Sequence, residues 1–185
     1  MSPIKVVVHG AMGRMGQVML KAVCDDPDLE AVGAVDLDEL GEEPSLPSAP
    51  QNIPYSTTLE PILVETAPSV LVDFTTAEAT MPAVRIAVNC GVHLVIGTTG
   101  LSSQNIDEID TLCREKGLGA VVAPNFALGA VLMMHLAKEA ARFFDYAEII
   151  EMHHEKKIDA PSGTAIATAR AMVEKRGQSF STVIT

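Results

Sequence analysis

The sequence has no tryptophan, two tyrosines and five phenylalanines among its 185 residues, too few aromatic platforms for the base stacking by which single-strand binders hold nucleic acid. It is also short of positive charge. Thirteen lysines and arginines stand against 24 aspartates and glutamates, a formal charge of −11, so no basic field draws a phosphate backbone or an anionic bilayer. The three cysteines, Cys24, Cys90 and Cys113, lie far apart without a C-x-x-C pair, which fits buried, reduced thiols better than a disulfide framework. No run reaches the ~18 apolar residues of a membrane span, and the first residues lack the basic and apolar regions of a secretory signal. These absences disfavour a nucleic-acid partner and a membrane and lead us to expect a cytoplasmic protein.

What is present is a folding chain. Hydrophobic residues make up 48% and charged residues 20%, far from the regime of disordered sequences. The length suits one domain and part of a second on a prior of ~100–200 residues per domain. Ile4–His9 (IKVVVH) is β-branched and almost continuously apolar, as a strand buried on both faces should be. A helical pattern follows from Met15 to Val23, on Met15, Val18, Met19, Ala22 and Val23, and then a strand at Leu29–Asp36, giving one βαβ unit. Further apolar runs at Ser69–Phe74, Val92–Ile96 and Gly119–Ala123 are each preceded by a helical pattern; two of these helices are expected at Thr80–Asn89, with Pro82 in its first turn, and Ser102–Lys116, capped by Ser102 or Ser103. The alternation predicts an α/β fold, a doubly wound parallel sheet with helices on both faces. Leu37–Asn52 reads as a loop.

Beyond this the pattern changes. A helix is expected over Gly129–Phe144, then a strand Ala147–Met152 whose glutamates alternate with apolar residues, a polar run His153–Gly163, a helix from about Thr164 to Lys175, and a β-like end, Phe180–Thr185. Half-exposed strands suggest a different sheet, and two such elements cannot stand alone in water. We therefore expect residues 1–126 to form the first domain and 127–185 part of an α+β second domain, completed by further chain or by another copy.

The glycine segment Gly10-Ala11-Met12-Gly13-Arg14-Met15-Gly16 lies between strand and helix, the context in which a glycine pattern becomes a Rossmann-like dinucleotide site. Gly10 makes the tight turn, Gly13 lets amides approach a pyrophosphate and Gly16 lets the helix approach the strand. Met12 stands where the usual pattern has its middle glycine, so by itself the segment also fits a plain strand-to-helix turn. Asp36 at the end of the second strand is placed to accept from the adenosine ribose hydroxyls. Leu37, Asp38 and Glu39 after it offer no cation for a 2′-phosphate, so NADH is expected to bind better than NADPH. Arg14 is the one nearby residue that reaches toward such a phosphate. Gly97-Thr98-Thr99-Gly100 follows a strand at the edge where such sheets bind ligands and suits the nicotinamide ribose or carboxamide, or is simply a glycine-rich turn. Ala123-Pro124-Asn125-Phe126 ends another strand, with a Pro-Asn turn as the alternative.

The densest polar cluster runs from Glu151 through His153, His154, Lys156, Lys157 and Asp159 to Ser162, Gly163 and Thr164. Adjacent histidines point apart on a strand and lack the i, i+4 spacing of a helical metal pair, so no metal is expected. Acid–base work by histidine and lysine beside an anionic substrate fits better, with helix-opening amides to receive a carboxylate. A solvated charged loop is the competing reading.

Five segments together, residues 10–16 (GAMGRMG), 72–75 (VDFT), 96–100 (IGTTG), 124–129 (PNFALG) and 151–165 (EMHHEKKIDAPSGTA), resemble the 4-hydroxy-tetrahydrodipicolinate reductase family, also called dihydrodipicolinate reductase. The last segment is the specific one. The resemblance implies NAD(P)H-dependent reduction of 4-hydroxy-tetrahydrodipicolinate to tetrahydrodipicolinate, in lysine and diaminopimelate biosynthesis, by a homotetramer. It implies that Gly10–Met15, Asp36, Gly97–Thr99 and Ala123–Phe126 line the cofactor. It assigns His153 as acid/base, Lys157 as proton donor, and His154, Gly163 and Thr164 as holders of a small dicarboxylate substrate. It also implies further strands beyond Thr185, which this sequence does not contain; the rival expectation is a non-catalytic module that binds NAD or another subunit.

Overall fold

A computed structural model describes residues 2–37, 53–153 and 160–181. The chain divides into two compact units, Met1–Ala123 and Pro124–Thr185.

The first unit has six strands, β1 (Ile4–His9), β2 (Leu29–Val35), β3 (Tyr55–Ser56), β4 (Val70–Asp73), β5 (His93–Ile96) and β6 (Ala120–Val122). All pair in parallel, in the order β3-β2-β1-β4-β5-β6. Their carboxyl ends therefore share one edge, and the order reverses between β1 and β4, where open α/β sheets bind ligands. The helices are α1 (Arg14–Asp25), α2 (Leu59–Thr66), α3 (Ala77–Asn89) and α4 (Ser103–Lys116).

Side chains alternate across the strands and so feed two cores. Val6, Val8 and Val72 join Leu20 and Val23 of α1 on one face. Val7, Leu71, Leu94 and Ile96 join Ile62 and Leu63 of α2, Val84 and Val88 of α3 and Ile109 of α4 on the other. The α1 face that turns inward is Gly16, Leu20 and Val23, whereas Met15 and Val18 are exposed. Ser102 caps α4 in a capping box with Asn105, and Gly117 ends it in the left-handed conformation.

Helix α3 begins three residues before the expected start, capped by the Thr76 side chain, which places Pro82 inside it and not in its first turn. The missing N–H costs one helical bond, and burial of Thr80, Met81, Val84 and Val88 outweighs it. The cysteines are free, but only Cys113 is buried; Cys24 is half-buried and Cys90 exposed. Burial pushes all three thiols up in pKa, with help from Asp25, Glu60 and Asp110 respectively, which disfavours the nucleophilic thiolate.

The second unit contains α5 (Leu128–Ala140), a 3-10 turn (Ala141–Phe143) and α6 (Gly163–Arg176), with α5 and α6 packed on one another. Lys175 Nζ lies 2.8 Å from Glu139 Oε1, and Arg176 Nη2 lies 2.8 Å from Asp145 Oδ1. The strand expected at Ala147–Met152 is not formed: the segment is irregular and mostly exposed. Alternation of polar and apolar residues marks a strand only where a neighbour supplies the ladder, and no described residue does so. Phe180 and Ser181 likewise form no strand; residues 182–185 and most of the expected loop, 38–52, lie outside the described residues.

Candidate active site

The turn after β1 is built from glycine stereochemistry. Gly10 has φ +79°, and a Cβ on it would sit 2.6 Å from Phe74 O. A Cβ on Gly16 would sit 1.9 Å from Gly10 O. Only glycine lets the turn, the strand end and the start of α1 approach this closely. The amides of Gly10 and Ala11 donate to Val35 O at 2.8 and 3.1 Å, and Gly13 N–H donates to Gly10 O at 3.1 Å. Gln17 Nε2 holds Ala11 O at 2.9 Å. Helix α1 then opens at Gly13 without a side-chain cap and without an acidic residue in its first turn, so its positive end is left for an external anion.

Asp36, just past β2, accepts Met12 N–H on Oδ2 and Leu37 N–H on Oδ1, both at 2.7 Å. It thus ties the glycine turn to the end of the neighbouring strand. A carboxylate has about four acceptor sites, so two amides leave capacity for ribose hydroxyls. The close-approach glycines, the uncapped helix end and this carboxylate fit an adenine dinucleotide.

Gly97–Thr99 follow β5 on the same edge. Gly97 lies against the Phe74 ring, where a Cβ would come within 2.1 Å. Thr99 is exposed, whereas Thr98 is buried and its hydroxyl is used internally: it donates to Asp73 Oδ2 at 2.8 Å and accepts Thr75 N–H at 2.8 Å. What Thr98 can offer a ligand is its backbone. Ala123 belongs to the first unit, its N–H on Ile96 O at 3.0 Å; Pro124, Asn125 and Phe126 belong to the second.

Asp73 stands in the VDFT segment, where its local sequence suggests no role for it. It is 2% exposed. Oδ1 receives His9 Nδ1 at 2.8 Å and the Thr75 hydroxyl at 2.9 Å; Oδ2 receives the Thr80 hydroxyl at 2.5 Å and Thr98. Burial alone would push this carboxyl up; the hydrogen bonds from His9, Thr80 and Thr98 and the attraction of His9 outweigh it and hold the group below its ordinary 3.8. A carboxyl held low in the fold adds stability above its ordinary value and loses it as pH falls through the lowered one. Thermal stability should therefore drop steeply below about pH 4, and Asp73→Asn should flatten that acid limb. Melting curves with equal acid slopes for the two proteins would contradict this.

In the second unit, a cavity of about 510 Å³ is lined by Asn125, Glu151, His153, Ser162 and Thr164, among others. Ser162 caps α6 by accepting Ala165 N–H at 3.1 Å and gives its own N–H to Glu151 Oε1 at 2.8 Å. Glu151 Oε2 stands 3.8 Å from His153 Nδ1. Asn125 Nδ2 donates to Thr164 Oγ1 at 3.5 Å, and Asn125 Oδ1 accepts Ala127 N–H at 2.8 Å. Gly163 and Thr164 open α6, which has no acidic residue in its first turn, so amides at its positive end border the cavity that His153 lines. His154 and Lys157 lie outside the described residues. Among the described residues no cluster of histidine, cysteine or carboxylate could hold a metal.

Strand order, glycine turn and strand-end carboxylate define the first unit as a dinucleotide-binding α/β domain, followed by a smaller unit in which a helix N-terminus and a histidine border one cavity. Comparison with known proteins gives the same class and narrows it. A family model described as "Dihydrodipicolinate reductase, N-terminus" matches residues 4–126, and one described as "Dihydrodipicolinate reductase, C-terminus" matches 129–184. A 4-hydroxy-tetrahydrodipicolinate reductase of Dehalococcoides mccartyi is 55% identical over 180 residues, 97% of this chain and 68% of that protein. The structure of a dipicolinate-bound dihydrodipicolinate reductase from Paenisporosarcina sp. TG-14 aligns with TM-score 0.79 and 39% identity, covering 94% of this chain and 67% of that one. The NAD complex of GenD2, from gentamicin A biosynthesis, aligns at TM-score 0.60 and 23% identity over 76% of this chain and 40% of that one, a likeness of fold. The chain belongs to the dihydrodipicolinate reductase family, a family of oxidoreductases, and spans about two thirds of the length of these two reductases.

Proposed function

We propose that this chain acts as a 4-hydroxy-tetrahydrodipicolinate reductase in lysine and diaminopimelate biosynthesis: the heterocycle takes a hydride from a nicotinamide dinucleotide and a proton, and its 4-hydroxyl leaves as water, giving tetrahydrodipicolinate. The observation that carries the reading is the pairing of the glycine turn with Asp36, whose carboxylate takes Met12 N–H at 2.7 Å. The bound dinucleotide supplies a hydride. The chain's own residues do the rest. The amides of Arg14 and Met15 at the start of α1 receive the pyrophosphate, which the close Gly10–Gly13 turn admits, and Asp36 the adenosine ribose, while Gly97–Thr99 and Ala123–Phe126 serve the nicotinamide end.

Asp36 repels a 2′-phosphate and residues 37–39 supply no cation, so NADH is preferred over NADPH. The substrate carries two carboxylates, which His154, Gly163 and Thr164 receive. His153 works as acid/base and Lys157 delivers the proton that accompanies reduction. Homo-oligomerisation belongs to this reading, supported by exposed Leu128, Leu132 and Leu136 on α5. So does a cytoplasmic location; no helix among the described residues is long and apolar enough to cross a membrane.

The test is substrate-dependent loss of NADH absorbance. Turnover with NADH exceeding that with NADPH is expected. NADH binding without turnover would favour a non-catalytic module. Asp36→Ala removes the ribose acceptor and the tie to Met12 and should weaken NADH about tenfold, read as the dissociation constant by nicotinamide fluorescence; an unchanged constant contradicts the role of Asp36.

A further inference from the structure

The Asp73 cluster joins elements that are far apart in sequence. One carboxylate holds His9 at the end of β1, Thr75 in the β4–α3 turn, Thr80 in the first turn of α3 and Thr98 in the turn after β5. An ionised carboxylate only accepts, so the polarity of the set is fixed. With its proton directed at Asp73, the Thr98 hydroxyl must present a lone pair to Thr75 N–H, 2.8 Å away. The two turns after β4 and β5 are thereby locked together. With Asp73 2% and Thr80 0% exposed and the carboxylate already receiving four donors, neither residue has the access or the spare capacity to touch a ligand.

The sheet order gives this lock a functional direction. Asp36 and β2 lie on one side of β1, whereas β4 and β5 lie on the other. A dinucleotide straddling the reversal with its adenosine at Asp36 has its nicotinamide half over the turns after β4 and β5. We propose that Asp73 is a positioning residue for the nicotinamide half of the cofactor, acting through Thr75, Thr80 and Thr98 to hold those two turns in their binding conformation. The inference rests on the dinucleotide reading above.

The test compares NADH with ADP, which keeps the adenosine and both phosphates but lacks the ribose and ring of the nicotinamide half. Calorimetric titration of the full chain with each ligand is run on wild type, Asp73→Asn, Thr80→Val and Thr80→Ser. Asp73→Asn and Thr80→Val should each weaken NADH about tenfold while ADP changes by no more than about twofold, and Thr80→Ser, which restores the hydroxyl, should recover most of the loss. Unchanged NADH affinity in both variants overturns the proposal. So does an equal loss of both ligands, or a Thr80→Val chain that no longer folds, because the cluster would then serve the core and not the turns. A folded wild type that binds neither ligand refutes the dinucleotide reading itself, a result distinct from all of these.

Discussion

Replacing His153 and Lys157 together by alanine is expected to lower kcat for reduction of the heterocycle by roughly 10²–10⁴-fold, the span that a positioned general acid contributes. His153 lines the cavity beside the first turn of α6, and Glu151 Oε2 stands 3.8 Å from its Nδ1 while the other carboxylate oxygen accepts Ser162 N–H. The histidine therefore stands on the same unit as Gly163 and Thr164, the proposed receivers of the substrate's carboxylates. A dianionic imine gains from nearby positive charge before reaction, and reduction at carbon requires a proton to arrive as the electron pair does. Loss of the two residues should fall on kcat, with NADH affinity unchanged within about twofold, because the cofactor's adenosine and phosphates are assigned to the other unit. Wild-type turnover in the double variant would remove both assignments.

The second large effect concerns packing. Gly16→Ala places a methyl group 1.9 Å from Gly10 O, 2.7 Å from Gly10 C and 2.8 Å from Ala11 Cα. All three are backbone atoms, so no side chain can turn away; the turn or the helix must shift. Overpacking of this kind costs ~3 kcal/mol or more, which for a chain of this size lowers Tm by about 6–12 °C. The same shift displaces the Gly13–Met15 amides, so NADH binding should be lost as well. Gly129→Ala is the control: it lies in α5 with nothing within 4 Å of the added methyl, and helix propensity favours the change by ~0.5–1 kcal/mol. Comparable melting of the two variants would show that the close approach of Gly16 to Gly10 does not hold the turn.

Much of this is legible in the amino-acid sequence itself. The strands β1, β2, β4 and β5 declare themselves because a parallel strand covered on both faces is apolar throughout, and β1 has the expected bounds, Ile4–His9. The glycine turn with Asp36 was legible because it lies between a strand and a helix. Three features were not legible, each for a physical reason. Strand β3 is two residues long and exists through its pairing with Ala34 and Val35, a contact that a local pattern does not encode. Ala147–Met152 has a strand's alternation, but a ladder needs a partner. Asp73 looks like the polar end of a strand; its environment comes from Thr80 and Thr98, 7 and 25 residues away, although a single acid closing an apolar run just before two threonines was a usable signal. Of the catalytic assignments, His153 lines the cavity and Lys157 rests on the sequence motif, as does His154 among the substrate-binding ones.

The claim beneath all of this is that the first unit grips a nicotinamide dinucleotide through the Gly10–Met15 turn and the Asp36 carboxylate. Titration of the folded wild-type chain with NADH, followed by calorimetry, tests it most directly. The account predicts saturable one-to-one uptake, tighter than that of NADPH; heat of dilution alone from a chain that melts cooperatively would contradict it.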